Sequence, residues 1–241
     1  MSETQTILIL ANSERTGGRC VAGKLANARP DGGFDVGTQW IRLTNPDGTA
    51  EGTVPYLDTV CRHDRTPVRP LDIIRVAIAG QCNNPDHPED QYYERAQSWE
   101  WVASTVFSRL ADVVDTPPSL WYDGHDDAVE AGYVRAMREG PSSIYLVRAP
   151  KCWTFTYFKE WDTFKGYEKK RRRLTFTFAG QNHDFSVTDS GFTRRHNIEG
   201  RFTNQRQILS VPNLAGCYFC VSLTPEFHGK HYKICATIFE P

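Results

Sequence analysis

The sequence predicts a β-rich α+β protein made of two small β-barrels joined by a helical connector. Short runs rich in Val, Ile and Leu recur between turn residues, one central stretch changes to helical spacing, and the strand texture then resumes. A chain of 241 residues has room for two barrels of roughly 70 to 110 residues and a connector.

Taken in order, Thr6 to Asn12, Cys20 to Leu25, Thr38 to Thr44 and Leu71 to Ala79 read as strands. Gly17-Gly18, Asp31-Gly32-Gly33 and Asn45-Pro46-Asp47-Gly48 supply turns between them, the last as a hairpin signal. The gaps lack helical periodicity, which favours a barrel over repeated βαβ units. From Pro88 to Val114 the series Tyr92, Tyr93, Ala96, Trp99, Val102, Val106, Phe107 and Leu110 predicts a helix, with Pro88 and Glu89 at its start. A shorter helix is predicted over Asp126 to Arg138, stopped by Gly140-Pro141. Strands follow at Ser143 to Arg148, Trp153 to Phe158, Arg172 to Phe178, His183 to Val187, Gly216 to Leu223 and Tyr232 to Phe239. The expected units are therefore a first barrel over 1–86, an acidic helical connector over 87–141 and a second barrel over 142–241. No internal sequence repeat relates the halves.

With 39% hydrophobic and 24% charged residues the chain reads as globular, and no apolar run approaches the roughly 20 residues of a membrane helix. The start of the chain lacks a basic, apolar leader, so a cytoplasmic location is expected, with no membrane contact. Seven scattered cysteines read as reduced thiols. A net charge of −1 gives no global reason to expect nucleic acid, but the distribution is uneven. Residues 165–206 hold ten Lys/Arg against four acids, and residues 86–130 hold eleven acids against Arg95 and Arg109. The acidic block is a candidate contact surface for a protein partner.

Three motifs bear on chemistry. Gly18-Arg-Cys-Val-Ala-Gly23-Lys24 fits the phosphate-cradling pattern, but Leu25 stands where a magnesium-ligating Ser or Thr belongs. Cys217, Cys220, His228 and His231 are a ligand set zinc could use; on a strand, however, residues three apart face opposite ways, so no metal and no other cofactor is expected. The run Lys169, Lys170, Arg171, Arg172, Arg173, interleaved with Trp161, Phe164 and Tyr167, could hold phosphates and stack on bases, or could be a solvated hairpin tip. No nucleophile elbow, zinc-protease helix or nuclease-like carboxylate pairing stands out, so an enzyme lacks positive support.

Asn12-Ser13, Gly17-Gly18-Arg19-Cys20-Val21-Ala22-Gly23-Lys24, Trp40-Ile41-Arg42, Leu71-Asp72-Ile73-Ile74 and His87-Pro88-Glu89-Asp90-Gln91 with Trp99 resemble the dual OB-containing domain family. Cys220-Val221-Ser222-Leu223 and Tyr232-Lys233-Ile234-Cys235-Ala236 are similar to its closing strands. Residues 117–202 lie outside the matching segments. The resemblance implies two OB-like barrels in one compact unit, of a kind found in prokaryotic conflict and antiviral systems and suspected of recognising nucleic acids or nucleotides. It supplies no catalytic residues. An OB barrel binds on one sheet face with cations and aromatics, which nominates Arg19, Lys24, Trp40 and Arg42 in the first half. Lys170, Arg171, Arg172, Arg173 and Lys233 are the candidates in the second half. Trp40 and Arg42, two apart on a strand, share a face. The expected function is non-catalytic recognition of single-stranded nucleic acid or a nucleotide, as sensor or adaptor for an effector protein encoded elsewhere. A protein-assembly module is the alternative reading, and a nuclease or nucleotide-processing enzyme the third.

Overall fold

A computed structural model describes residues 3–15, 17–47, 52–137, 142–163, 165–209 and 216–241. Its strands are β1 (Glu3–Arg15), β2 (Gly18–Ala28), β3 (Phe34–Thr44), β4 (Asp72–Gln81), β5 (Asp90–Tyr93), β6 (Glu100–Ser104), β7 (Ala128–Glu130), β8 (Ile144–Arg148), β9 (Trp153–Asp162), β10 (Tyr167–Phe178), β11 (Gln181–Val187), β12 (Gln207–Leu209), β13 (Tyr218–Leu223) and β14 (Lys230–Phe239). Two short α-helices accompany them, α1 (Ala131–Arg135) and α2 (Ser190–Arg195).

The first sheet runs β1-β2-β3-β5-β4 and closes through β1–β4, giving a five-stranded barrel with β6 added on β4. All its pairings are antiparallel except β3–β5, where Arg42 lies opposite Asp90. The strand texture predicted a small barrel here, and the β1–β4 pairing makes it a closed five-stranded one. Strand alternation separates its two surfaces. Ile7, Ile9, Val21, Ile41, Leu43, Ile74 and Val76 fill the barrel. Leu8, Leu10, Ala22, Trp40 and Ile73 point outward, yet all are buried.

The second sheet runs β12-β9-β10-β11-β14-β13-β8, with β7 also on β14. Its middle five strands repeat the order of the barrel, first-second-third-fifth-fourth, including the parallel step, here β11–β14. Among the described residues no pairing closes this sheet; β8 and β12 occupy the two edges where closure would occur. Its concave face packs Phe155, Tyr157, Leu174, Phe176, Phe185 and Phe219 around Phe192 of α2.

The helical connector is not observed. Pro88–Val114 contains β5, β6 and a 3-10 turn over Phe107–Asp112, so the barrel draws strands from beyond residue 86. The misleading periodicity comes from aromatics on separate segments: Tyr93 at the end of β5 and Trp99 just before β6 meet edge to face inside the barrel, 5.6 Å apart. Of Asp126–Arg138, only Ala131–Arg135 is helical; Arg138 and the Gly140-Pro141 stop lie outside the described residues. The Asn45 hairpin signal also runs into undescribed residues from Gly48 on.

Candidate nucleic-acid interface

The outward surface of β2 and β3 is where the first-half candidates sit, and it is covered. Ile144, Leu146, Tyr218, Cys220, Ala236 and Phe239 of the second sheet pack on Leu8, Leu10, Ala22 and Trp40. Lys24, 1% exposed, donates to Val113 O at 2.7 Å and to Asp115 Oδ1 at 2.5 Å. Trp40 Nε1 donates to the other oxygen of Asp115 at 3.0 Å. Arg42 is 7% exposed and held on every nitrogen: Nε on Asp90 at 2.6 Å, Nη2 on both His87 Nδ1 and Ser143 Oγ at 2.5 Å, and Nη1 on Ser222 Oγ at 3.3 Å. Burial works against the Arg42 charge, but Asp90 and Glu89 more than offset it and raise its pKa. Burial, then Arg42, pushes the His87 pKa down to about 2. Trp40 and Arg42 do share a face, as their spacing required; that face is an internal joint, and none of Lys24, Trp40 and Arg42 is open to a ligand.

The phosphate-loop reading fails on the same element. Gly18 to Lys24 is part of β2, a strand with no helix after it. A Cβ on Gly18 would stand 2.4 Å from Val54 O, and one on Gly23 2.0 Å from Leu8 O, so both glycines are there for close strand packing.

Arg19 is largely buried but reaches the surface with 13% of its side chain, 3.6 Å from Glu14 Oε1 and with its guanidinium 5.4 Å from the Tyr56 ring. Lys233 is fully buried, donates to His125 O at 2.6 Å, and is held by that burial at a pKa of about 8. It has no surface to offer a ligand. The acidic block is likewise partly internal: Asp86, Glu89 and Asp90 are buried, and Asp115 serves Lys24 and Trp40. Cys217 and Cys220 fall in different cores, on opposite sides of the second sheet.

Alternation splits the basic run in two. Arg172 lies opposite Tyr157 and, with Lys170, turns to Glu199 and stacks over Phe202 at 5.0 and 5.1 Å. Lys169, Arg171 and Arg173 point to the convex face instead. There Arg171 lies opposite Phe158, whose ring carries the exposed Arg206 at 4.5 Å. Arg173, in the next row with Thr156 and Ser186, is held by Asp184 and Ser186. Among the described residues Arg171 has one hydrogen-bond partner, Glu160 at 2.6 Å. Partial burial and the neighbouring cations Arg171 and Lys165 lower the Lys169 pKa, so an anion placed there would be stabilised. Trp161 and Tyr167, 60% and 50% exposed, extend the β9–β10 hairpin beyond the core; Phe164 lies outside the described residues. Sequence reasoning missed Phe158 with Arg206, because β12 brings Arg206 alongside β9 from nearly fifty residues away.

The surface β12-β9-β10-β11 is the second sheet's counterpart, by strand order, of the covered β1-β2-β3 surface. It is an open sheet face with a row Arg206, Phe158, Arg171, in which Phe158 and Arg171 face each other on β9 and β10 and Arg206 stands just before β12. Among the described residues, no cluster of His, Cys, Asp and Glu could hold a metal ion, and no helix is long and apolar enough to cross a membrane. A sequence model of the dual OB-containing domain matches residues 5–238. No curated protein matches the chain.

Proposed function

The chain belongs to the dual OB-containing domain family, and from that premise we propose that it is a nucleic-acid-binding module holding a single strand across the convex face of β12, β9 and β10. The row Arg206, Phe158, Arg171 carries the reading. It combines a guanidinium plane resting on an aromatic ring, on which a base can stack, with cations for the flanking phosphates. Lys169 extends the cationic side toward the hairpin tip, where Tyr167, on the same face by alternation, offers a further ring. The reading is recognition without turnover; the lysine a phosphate loop would use is engaged with Asp115, which speaks against that one catalytic alternative. Such a part would serve a prokaryotic antiviral system through an effector encoded elsewhere.

Two variants of equal charge change test it. Binding of an oligo-dT and an oligo-U of about twelve nucleotides, within the span of an OB site, is followed by fluorescence anisotropy across a salt series. Lys169→Ser/Arg171→Ser should weaken binding about tenfold and flatten the log–log salt slope by about 0.7 per lost contact. Lys170→Ser/Arg172→Ser, on the concave side, should leave both unchanged. Equal effects from the two pairs, or none from the first, would reject this face.

A further inference from the structure

At the junction of the barrel and the second sheet lies a cleft of about 620 Å³, within the range of small-molecule sites and well beyond what a lone oxyanion needs. It is separate from the convex face proposed above. Its wall draws Arg19, Tyr56 and Arg69 from the barrel side and Arg194 and Arg195 from α2.

The charges there are unevenly matched. Arg19 and Arg194 approach the same Glu14 oxygen, at 3.6 and 3.7 Å, beyond hydrogen-bonding range. Among the described residues neither guanidinium donates a side-chain hydrogen bond. Two forks with all their donors unused face one carboxylate, whereas Arg195 is on Glu240 and Ile238 O, and Arg69 is on Asp64. A phosphate supplies what Glu14 does not, several anionic oxygens that two guanidinium forks can hold in pairs. The start of α2 plays no part, because Asp189 already caps it through Phe192 N at 2.8 Å.

The remainder of the wall is suited to a flat, partly apolar group. The Tyr56 ring is 49% exposed, and Phe107, Val68 and Leu71 also line the cleft. A ring beside a phosphate-sized cationic corner selects for a base joined to a phosphate.

We propose that this cleft binds a free mononucleotide, its phosphate between Arg19 and Arg194 and its base against Tyr56. Because the two arginines come from different sheets, the bound nucleotide would tie the barrel to the second sheet.

Isothermal titration calorimetry of the intact protein with AMP, ATP, a 5′-phosphorylated oligonucleotide and inorganic phosphate tests this. AMP or ATP should bind, inorganic phosphate at least about tenfold more weakly, since a phosphate alone forfeits the ring contact. Arg194→Gln and Tyr56→Ala, both at exposed side chains that the fold tolerates, should each weaken the nucleotide about tenfold or more, while Lys169→Ser/Arg171→Ser leaves it unchanged. The oligonucleotide should not displace the mononucleotide; displacement would assign the cleft to strand ends and overturn the proposal. So would no heat from either nucleotide, equal binding of inorganic phosphate, or indifference to Arg194→Gln and Tyr56→Ala with circular dichroism unchanged.

Discussion

Arg42 is the residue on which the joint between the two sheets turns. Its guanidinium answers Asp90 within the barrel and Ser143 and Ser222 across the joint. Removing a single member of a buried charged set leaves the others unpaired, so Arg42→Met should cost about 3–5 kcal/mol in urea unfolding. A loss under about 1 kcal/mol would mean that water reaches Asp90. His87 gives the joint a pH dependence of definite sign. Below about 6.5 the unfolded chain protonates this histidine, whereas the folded chain resists down to about 2. The unfolded state therefore binds more protons across that window, and stability falls as pH falls, by about 2 kcal/mol between pH 7 and pH 5 from this group. His183, depressed to about 4 by burial and then by Lys233, adds a slope of the same sign. Thermal melts of His87→Asn should show a shallower acid slope than the parent; parallel slopes would acquit His87.

Among the elements, β2 carries the tightest constraint. Gly23 has no room for a Cβ against Leu8 O at 2.0 Å, and the contact is backbone on both sides. Gly23→Ala should therefore cost about 3 kcal/mol or more in chemical denaturation, by forcing β1 and β2 apart. Nearly every strand that the sequence advertised is present, because β-branched alternation reports directly on a face that must be buried. The stretch after His87 was misread because short strands of four and five residues hold too few alternations to compete with an accidental three-and-four spacing of aromatics. The site was less legible than the fold. Strand parity correctly put Trp40 beside Arg42 and separates Lys170 from Arg171, but nothing local says which face of a strand another sheet will cover. Lys24, Trp40 and Arg42 have the residue types of a binding face and serve as a joint instead. Arg206 reaches Phe158 only through the β9–β12 pairing, a contact between distant segments.

At the scale of the whole molecule, the barrel and the second sheet share one core through the β1-β2-β3 surface, so they should melt together. Far-ultraviolet dichroism and tryptophan fluorescence should trace coincident urea transitions. A plateau between them would mean that the joint contributes little. The covered surface also has a history within each round of synthesis. The strands that close the barrel are complete at Tyr93, while the residues that cover it, Ile144 through Phe239, leave the ribosome later. At roughly 5–20 residues per second that delay is on the order of 10 s. During it, Leu8, Leu10 and Trp40 form an apolar strip on a nascent chain whose own distal half is the one thing shaped to cover it. Early termination, slow codons in the second half or crowded translation would each lengthen the exposure, making the nascent chain a client for holding chaperones long before the finished protein has any such need.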